Sequence, residues 1–197
     1  MAEPEVGAGL DIQISRLAVQ LAEDDLRELA ALFAATKAAQ PQLIWNPQPH
    51  QLPTPPMRAL LALWEEAGGR RRGAIGPPDV DGALAPIREA LVCLAADPAD
   101  GLVYTHVGAQ ARALFDEDIL GVPMSTVLGT NDTADIILYA AGYLACRIRE
   151  VPLLTFNESR RGPLRAITRL VVPFWNAAGS VSGFATALAA LERNTPG

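Results

Sequence analysis

Val151 to Leu191, VPLLTFNESRRGPLRAITRLVVPFWNAAGSVSGFATALAAL, decides the fold. Two turn clusters punctuate it, Arg160-Arg161-Gly162-Pro163 and Asn176-Ala177-Ala178-Gly179. Glycine and proline in such clusters mark chain reversals. The spacing therefore predicts three strands, Val151–Glu158, Leu164–Trp175 and Val181–Leu191. In the middle one, Arg165 and Arg169 interleave with Leu164, Ala166, Thr168, Leu170 and Val172. A period of two sends the arginines to solvent and the others inward.

Upstream lies the longest helical pattern, Asn131–Arg149. Asn131 and Asp132 are suited to its N-cap, and Arg147 and Arg149 to its C-terminal end. Gly108–Phe115 reads as a short helical piece, closed by acidic residues and Gly121. Before it, the apolar runs Ala90–Ala95 and Leu102–Val107 flank Asp97-Pro98-Ala99-Asp100-Gly101. A turn-rich stretch between two apolar runs predicts a hairpin. The order is strand, strand, helices, strand, strand, strand, an α+β class.

The first third differs. Residues 1–9 read as a disordered lead. A helical pattern from Asp11 to Ala39 becomes clear after Leu21, where Glu23, Asp24 and Asp25 supply the negative charge a helix start favours. Leu26, Leu29, Ala30 and Phe33 then form an apolar stripe, which its own domain or a second copy of the chain must cover. Gln40 to Pro56 holds six prolines, which excludes a regular helix or a central strand. It reads as an extended linker, packed through Leu43, Ile44 and Trp45. Met57–Ala67 follows as a short helix with Leu60, Leu61 and Trp64 on one side, stopped by Gly68 and Gly69.

Half of the 197 residues are hydrophobic and 19% are charged, enough apolar material for a packed core. The formal net charge of −6 repels nucleic-acid phosphate. The basic cluster Arg70-Arg71-Arg72 lacks aromatic neighbours on which bases could stack, so it reads as a solvated loop. Cys93 and Cys146 have neither metal nor redox spacing and read as small buried hydrophobes. No run approaches the ~20 apolar residues of a membrane span, and no signal peptide is visible at the N-terminus. A cytoplasmic protein with no nucleic-acid or membrane partner is expected.

Further wording refines the fold class. Leu60-Leu61-Ala62-Leu63-Trp64 precedes Gly68-Gly69-Arg70, and Asp79-Val80 and Ile87 precede Ala90-Leu91-Val92-Cys93-Leu94. Tyr104-Thr105-His106-Val107-Gly108-Ala109, Leu120-Gly121-Val122 and Arg169-Leu170-Val171-Val172-Pro173-Phe174 follow in order. This series, over about residues 57–192, resembles the PAS domain superfamily, and within it the bacterial PAS-like family of stand-alone sensor proteins common in alphaproteobacteria. Residues 1–56 have no counterpart there, which divides the chain into an extension (1–56), a PAS-like domain (57–192, core 89–192) and a disordered tail (193–197).

The resemblance implies a five-stranded antiparallel sheet with helices on one face, preceded here by N-terminal helices. It also implies a non-catalytic sensory or signalling module. Such domains hold a small ligand or cofactor between sheet and helices, or none, and dimerise through a flanking N-terminal helix, a role that falls to Leu21–Ala39. The signalling partner is not named by the sequence. A photoactive flavin needs an Asn-Cys-Arg setting that neither cysteine has, and a haem sensor needs a His that Asn131–Arg149 lacks, so neither cofactor is expected.

A ligand pocket would draw on Tyr104, His106, Tyr139, Tyr143, Arg147, Phe156, Thr168 and Leu170, all of which otherwise read as ordinary core. His106 is the odd residue, since period two sets it beside Leu102 and Tyr104 where the family carries an apolar side chain. His50, in the proline stretch, reads as exposed. Neither His has nearby metal ligands, Ser125 and Ser159 lack a nucleophile-elbow setting, and Asp116-Glu117-Asp118 reads as a solvated helix end. Two rival readings remain: a ligand-free protein-interaction scaffold, and a small α+β enzyme using His106.

Overall fold

The computed structural model describes residues 6–69, 76, 78–97, 101–113, 118–130, 133–158 and 164–192. Helices α1 (Val6–Ala22) and α2 (Arg27–Ala35) come first, then strand β1 (Gln42–Trp45) and helix α3 (Pro55–Glu66). The hairpin β2 (Leu91–Asp97) and β3 (Gly101–Val107) leads to the short helices α4 (Ala109–Arg112) and α5 (Met124–Thr130). The long helix α6 (Ala134–Arg149) precedes β4 (Leu153–Glu158), β5 (Leu164–Trp175) and β6 (Val181–Glu192).

The fold is α+β, with one six-stranded antiparallel sheet in the order β1-β4-β5-β6-β2-β3. The last strand thus lies beside the first strand of the hairpin, and two long strands, β5 and β6, run through the middle. Five of the six strands follow the expected order along the chain. The sixth, β1, lies in the stretch read as a linker. Gln42–Trp45 is a proline-free run between Pro41 and Pro47, and it pairs with β4 from Gln42 opposite Phe156 to Trp45 opposite Leu153. Pro41 and Pro47 fall outside the paired run, so neither removes a donor from the ladder.

The N-terminal helix begins earlier than its pattern suggested. Residues 6–9 already belong to α1, while 1–5 lie outside the described residues, as does the tail 193–197. Ile14, Leu17, Ala18 and Leu21 are buried, and α1 packs along α6. Asp24, at φ 61°, breaks the chain between α1 and α2. Its carboxylate accepts a 2.8 Å bond from Arg149 Nη1, and the same guanidinium stands 4.6 Å over the Trp45 ring. The C-terminal end of α6, the α1–α2 turn and β1 are thereby joined at one point. The stripe on α2 is covered from within the chain, since Leu29 and Phe33 are buried in the common core.

Helix α3 docks through its predicted face. Thr54, with extended backbone, precedes Pro55 at the first helical position, where the missing N–H costs nothing. Met57, Leu60, Leu61 and Trp64 are buried, and α3 packs against β5 and β6. Gly68, at φ 87°, takes the left-handed conformation that ends the helix. The residues expected to cap α6, Asn131 and Asp132, lie outside the described residues; Thr133 stands at the cap with extended φ and ψ.

Two expectations about sides are corrected. Residues 166–175 of β5 are buried without interruption, so both faces of this strand are covered rather than one. Arg169 is among them, 2% exposed, against the outward placement expected from alternation. In a strand buried on both faces, alternation no longer separates solvent from core. Arg165 has no described side chain.

Candidate functional site

One face of α6 carries Asp135, Tyr139 and Tyr143, one turn apart, the first and last buried and Tyr139 half-buried, because residues four apart stack on one side of a helix. Opposite them the sheet presents Asn157 of β4, Ile167 and Arg169 of β5, and Thr186 of β6, all buried. Arg169 pairs across the sheet with Thr155 on one side and Leu188 on the other. Its guanidinium carbon lies 4.4 Å from the Tyr139 ring centroid and 4.8 Å from that of Tyr143. Two aromatic faces so placed attract a cation, by as much as about 2 kcal/mol where water is excluded.

Gly142 creates the room. A Cβ there would stand 2.5 Å from Arg169 Nη2, so a side chain at this helix position would press on the guanidinium. The hydrogen bonding around Arg169 is incomplete. Nη2 donates to the Tyr139 carbonyl at 3.2 Å, whereas the buried Nε has no partner, and no described carboxylate lies within ion-pairing distance. The neighbouring polar groups are engaged with one another. Asn157 Nδ2 donates to Asp135 Oδ1 at 2.9 Å, the Tyr139 hydroxyl donates to Asn157 Oδ1 at 3.4 Å, and the Tyr143 hydroxyl shares a 2.9 Å bond with Thr186 Oγ1.

Between these groups and α5 a cavity of about 50 Å³ remains. Arg169, Asp135, Tyr139, Tyr143 and Tyr104 supply its polar points, and Val92, Met124, Leu128, Ile136, Ala140, Ile167 and Leu188 are among its apolar walls. A small number of polar groups in apolar walls is the make-up of small-molecule sites. Burial pushes the Tyr104 and Tyr143 phenols up, with the Arg169 charge opposing the rise at both. Both phenols are therefore neutral here, and that of Tyr143 is hydrogen-bonded to Thr186.

Of the eight residues singled out in the sequence, Tyr104, Tyr139 and Tyr143 come together at this cavity. Thr168 and Leu170 are buried but occupy alternate positions to Arg169 and do not line it. Arg147 is exposed, and Phe156 is 38% exposed.

His106 also lies elsewhere. A bulge between Cys93 and Leu94 opposes Cys93 to His106 but Leu94 to Tyr104, so β3 holds one extra residue. Such a bulge breaks the period of two. It separates His106 from the cavity that Tyr104 enters. The imidazole, half-buried, donates through Nε2 to the Arg88 carbonyl at 2.8 Å, in an open groove shared with Glu89, Gly108 and Arg112.

Asp135 and Asn157 were not singled out in the sequence, and Arg169 was expected to face solvent. A signal existed: Thr155 and Asn157 interrupt the apolar run of β4 in phase with each other, and Asp135 is the one charged residue of α6 before Arg147. Cys93 and Cys146 are free and buried, and burial pushes each thiol up to about 12. His50 is exposed. Of the acidic cluster, Asp116 and Glu117 lie outside the described residues, as do Arg70-Arg71-Arg72. Among the described residues no three His, Cys, Asp or Glu side chains are grouped to hold a metal ion, and no helix is long and apolar enough to cross a membrane.

Comparison of the chain with family models, with curated proteins and with solved structures finds no match.

Proposed function

We propose that the chain is a non-catalytic, PAS-type sensory module in which a small molecule occupies the cavity between α6 and the sheet and biases the docking of α6. One observation carries the reading: Arg169, buried and with no carboxylate partner among the described residues, is one of the residues lining a small apolar cavity. Proteins keep buried charges paired because an unpaired one is costly, so an incompletely bonded Arg169 marks a place where a further group fits. Two strands, a helical middle and three strands, with a sixth strand added at the edge, support the PAS-like reading. His106 hydrogen-bonds a backbone carbonyl, which supports a structural rather than a catalytic role for it.

The signal leaves through a protein surface in this proposal, and pairing of two copies is part of it. Leu29 and Phe33 are already covered within the chain, so a dimer draws on the outer side of α1, where Ile12 and Val19 are 68% and 47% exposed and two turns apart. Light scattering of the full chain is expected to give a dimer mass, reduced to a monomer by Ile12→Glu with Val19→Glu. A monomer for the unaltered chain removes dimerisation from the account.

The ligand-binding core of the proposal is tested by native mass spectrometry of protein purified from its own host. An added small-molecule mass that disappears on mild activation is the expected result. A bare polypeptide mass, with no small molecule from a metabolite panel retained, overturns the sensor reading in favour of a ligand-free interaction scaffold.

A further inference from the structure

We infer that the molecule held by this cavity is a short-chain monocarboxylate, its carboxylate seated on Arg169 and its short apolar tail among Val92, Met124, Leu128, Ile136 and Leu188. The inference rests on the proposed ligand-binding role and names the chemistry that role would serve.

Arg169 is 2% exposed, receives two tyrosine faces, and gives one hydrogen bond, to a neutral carbonyl. A guanidinium presents five N–H donors in a planar fork, and a carboxylate matches two of them at once. Aromatic faces and a carbonyl oxygen soften the cost of the buried charge but leave Nε without an acceptor. An anion entering on the side of Arg169 that lines the cavity would pair with the guanidinium directly, which no described carboxylate does.

Size and lining narrow the class. At about 10–15 Å³ for each water-sized group, the cavity of about 50 Å³ holds about three to five such groups, the size of acetate or propionate. Its walls are aliphatic away from Arg169, which suits a methyl or ethyl tail and disfavours inorganic anions that are polar all round.

Asp135 sets the count of charges. It lines the same cavity, with Oδ1 fixed by Asn157 and its carboxylate in the first turn of α6, where the helix dipole favours negative charge. A second carboxylate on the ligand would have to share the cavity with this group. A dicarboxylate also carries more atoms than the about three to five groups that the cavity holds, so one carboxylate is accepted and a dicarboxylate is refused.

The test is a thermal-unfolding titration of the full chain at constant ionic strength, with chloride as the reference anion. Sodium acetate, propionate and malonate are compared with propionamide, the neutral isostere of propionate. Acetate or propionate is expected to raise Tm by about 3–5 °C at ten times its Kd, while malonate and propionamide behave as chloride does.

Two variants attack the site from different sides. Arg169→Met removes the charge at similar volume, and Ala140→Val fills the cavity while leaving the guanidinium in place. Both are expected to lose the shift, with far-UV circular dichroism confirming that each folds. Equal shifts for acetate and propionamide, a shift retained in both variants, or no shift above chloride overturns the inference. If native mass spectrometry shows a retained neutral compound while carboxylates do nothing here, this inference falls and the sensor reading stands.

Discussion

Helices α3 and α6 both dock on the central strands, and they do so by opposite means. At α3 the contact is apolar: Trp64 and Trp175 have ring centroids 6.1 Å apart, Trp64 Nε1 donates to the Pro173 carbonyl at 2.6 Å, and Trp175 Nε1 is buried with no partner. At α6 a charged side chain lies between two phenols, one of its donors is unused and a void remains beside it. Each contact leaves one buried N–H unused, but the first is uncharged and the second sets a charge beside a void, and filled, uncharged packing is what stabilises a core. The second gives up some of that stability. The difference separates an anchor from a place where something can bind.

Removing the anchor should have the largest effect. Trp64→Ala is expected to cost about 3–5 kcal/mol, read as a lower urea midpoint at unchanged m-value. A loss under about 1 kcal/mol would show that α3 is an appendage, and the contrast with α6 would collapse.

Alkaline pH loads the core around α6 next. Cys93 and Cys146 have thiols raised to about 12 by burial, against an ordinary value of about 8.5. Between these values the folded chain binds more protons than the unfolded one, so stability falls as pH rises. The loss is on the order of 2 kcal/mol for each thiol by about pH 10, measured by denaturant titrations across the range. Flat stability to pH 10 would mean that these thiols are not buried.

Gly142→Ala tests the α6 contact itself. Overpacking costs about 1–3 kcal/mol, and the better helix propensity of alanine returns close to 1 kcal/mol, leaving a net loss of about 1 kcal/mol. Displacement of the guanidinium should also alter tyrosine near-ultraviolet dichroism. A stabilised variant with unchanged dichroism would place Arg169 away from Gly142. The smallest effect belongs to His106→Ala, expected within about 0.5 kcal/mol, since its ring lies in an open groove; a loss above 2 kcal/mol would give this edge of the sheet a role it lacks here.

The apolar anchor was legible in the sequence, and the polar contact was not. Trp64 shares a helical stripe with Leu60 and Leu61, and Gly68 and Gly69 end the helix where they stand. The β5 strand was legible from Leu164 to Trp175, because Gly162-Pro163 and Asn176 bound it. Which side chains it buries was not, since an arginine at an alternating position ordinarily points to water. Nothing local to Arg169 records that Tyr139 and Tyr143 cross above it. The β1 strand was hidden by its prolines: Gln42–Trp45 is too short to show a period, and only its pairing with Leu153–Phe156 makes it a strand. The bulge on β3 was invisible for a similar reason, being a property of the register with β2 rather than of either strand.

The central claim, that Arg169 holds an open position for an anion, is tested most directly by nuclear magnetic resonance of the arginine Nε–H groups in the full chain. One signal, assigned to Arg169 by its absence in Arg169→Met, is expected to move saturably on titration with sodium propionate while signals of exposed arginines stay in place. An Arg169 signal that is indifferent to propionate, acetate and chloride alike would contradict the account and leave the guanidinium as a buried packing element.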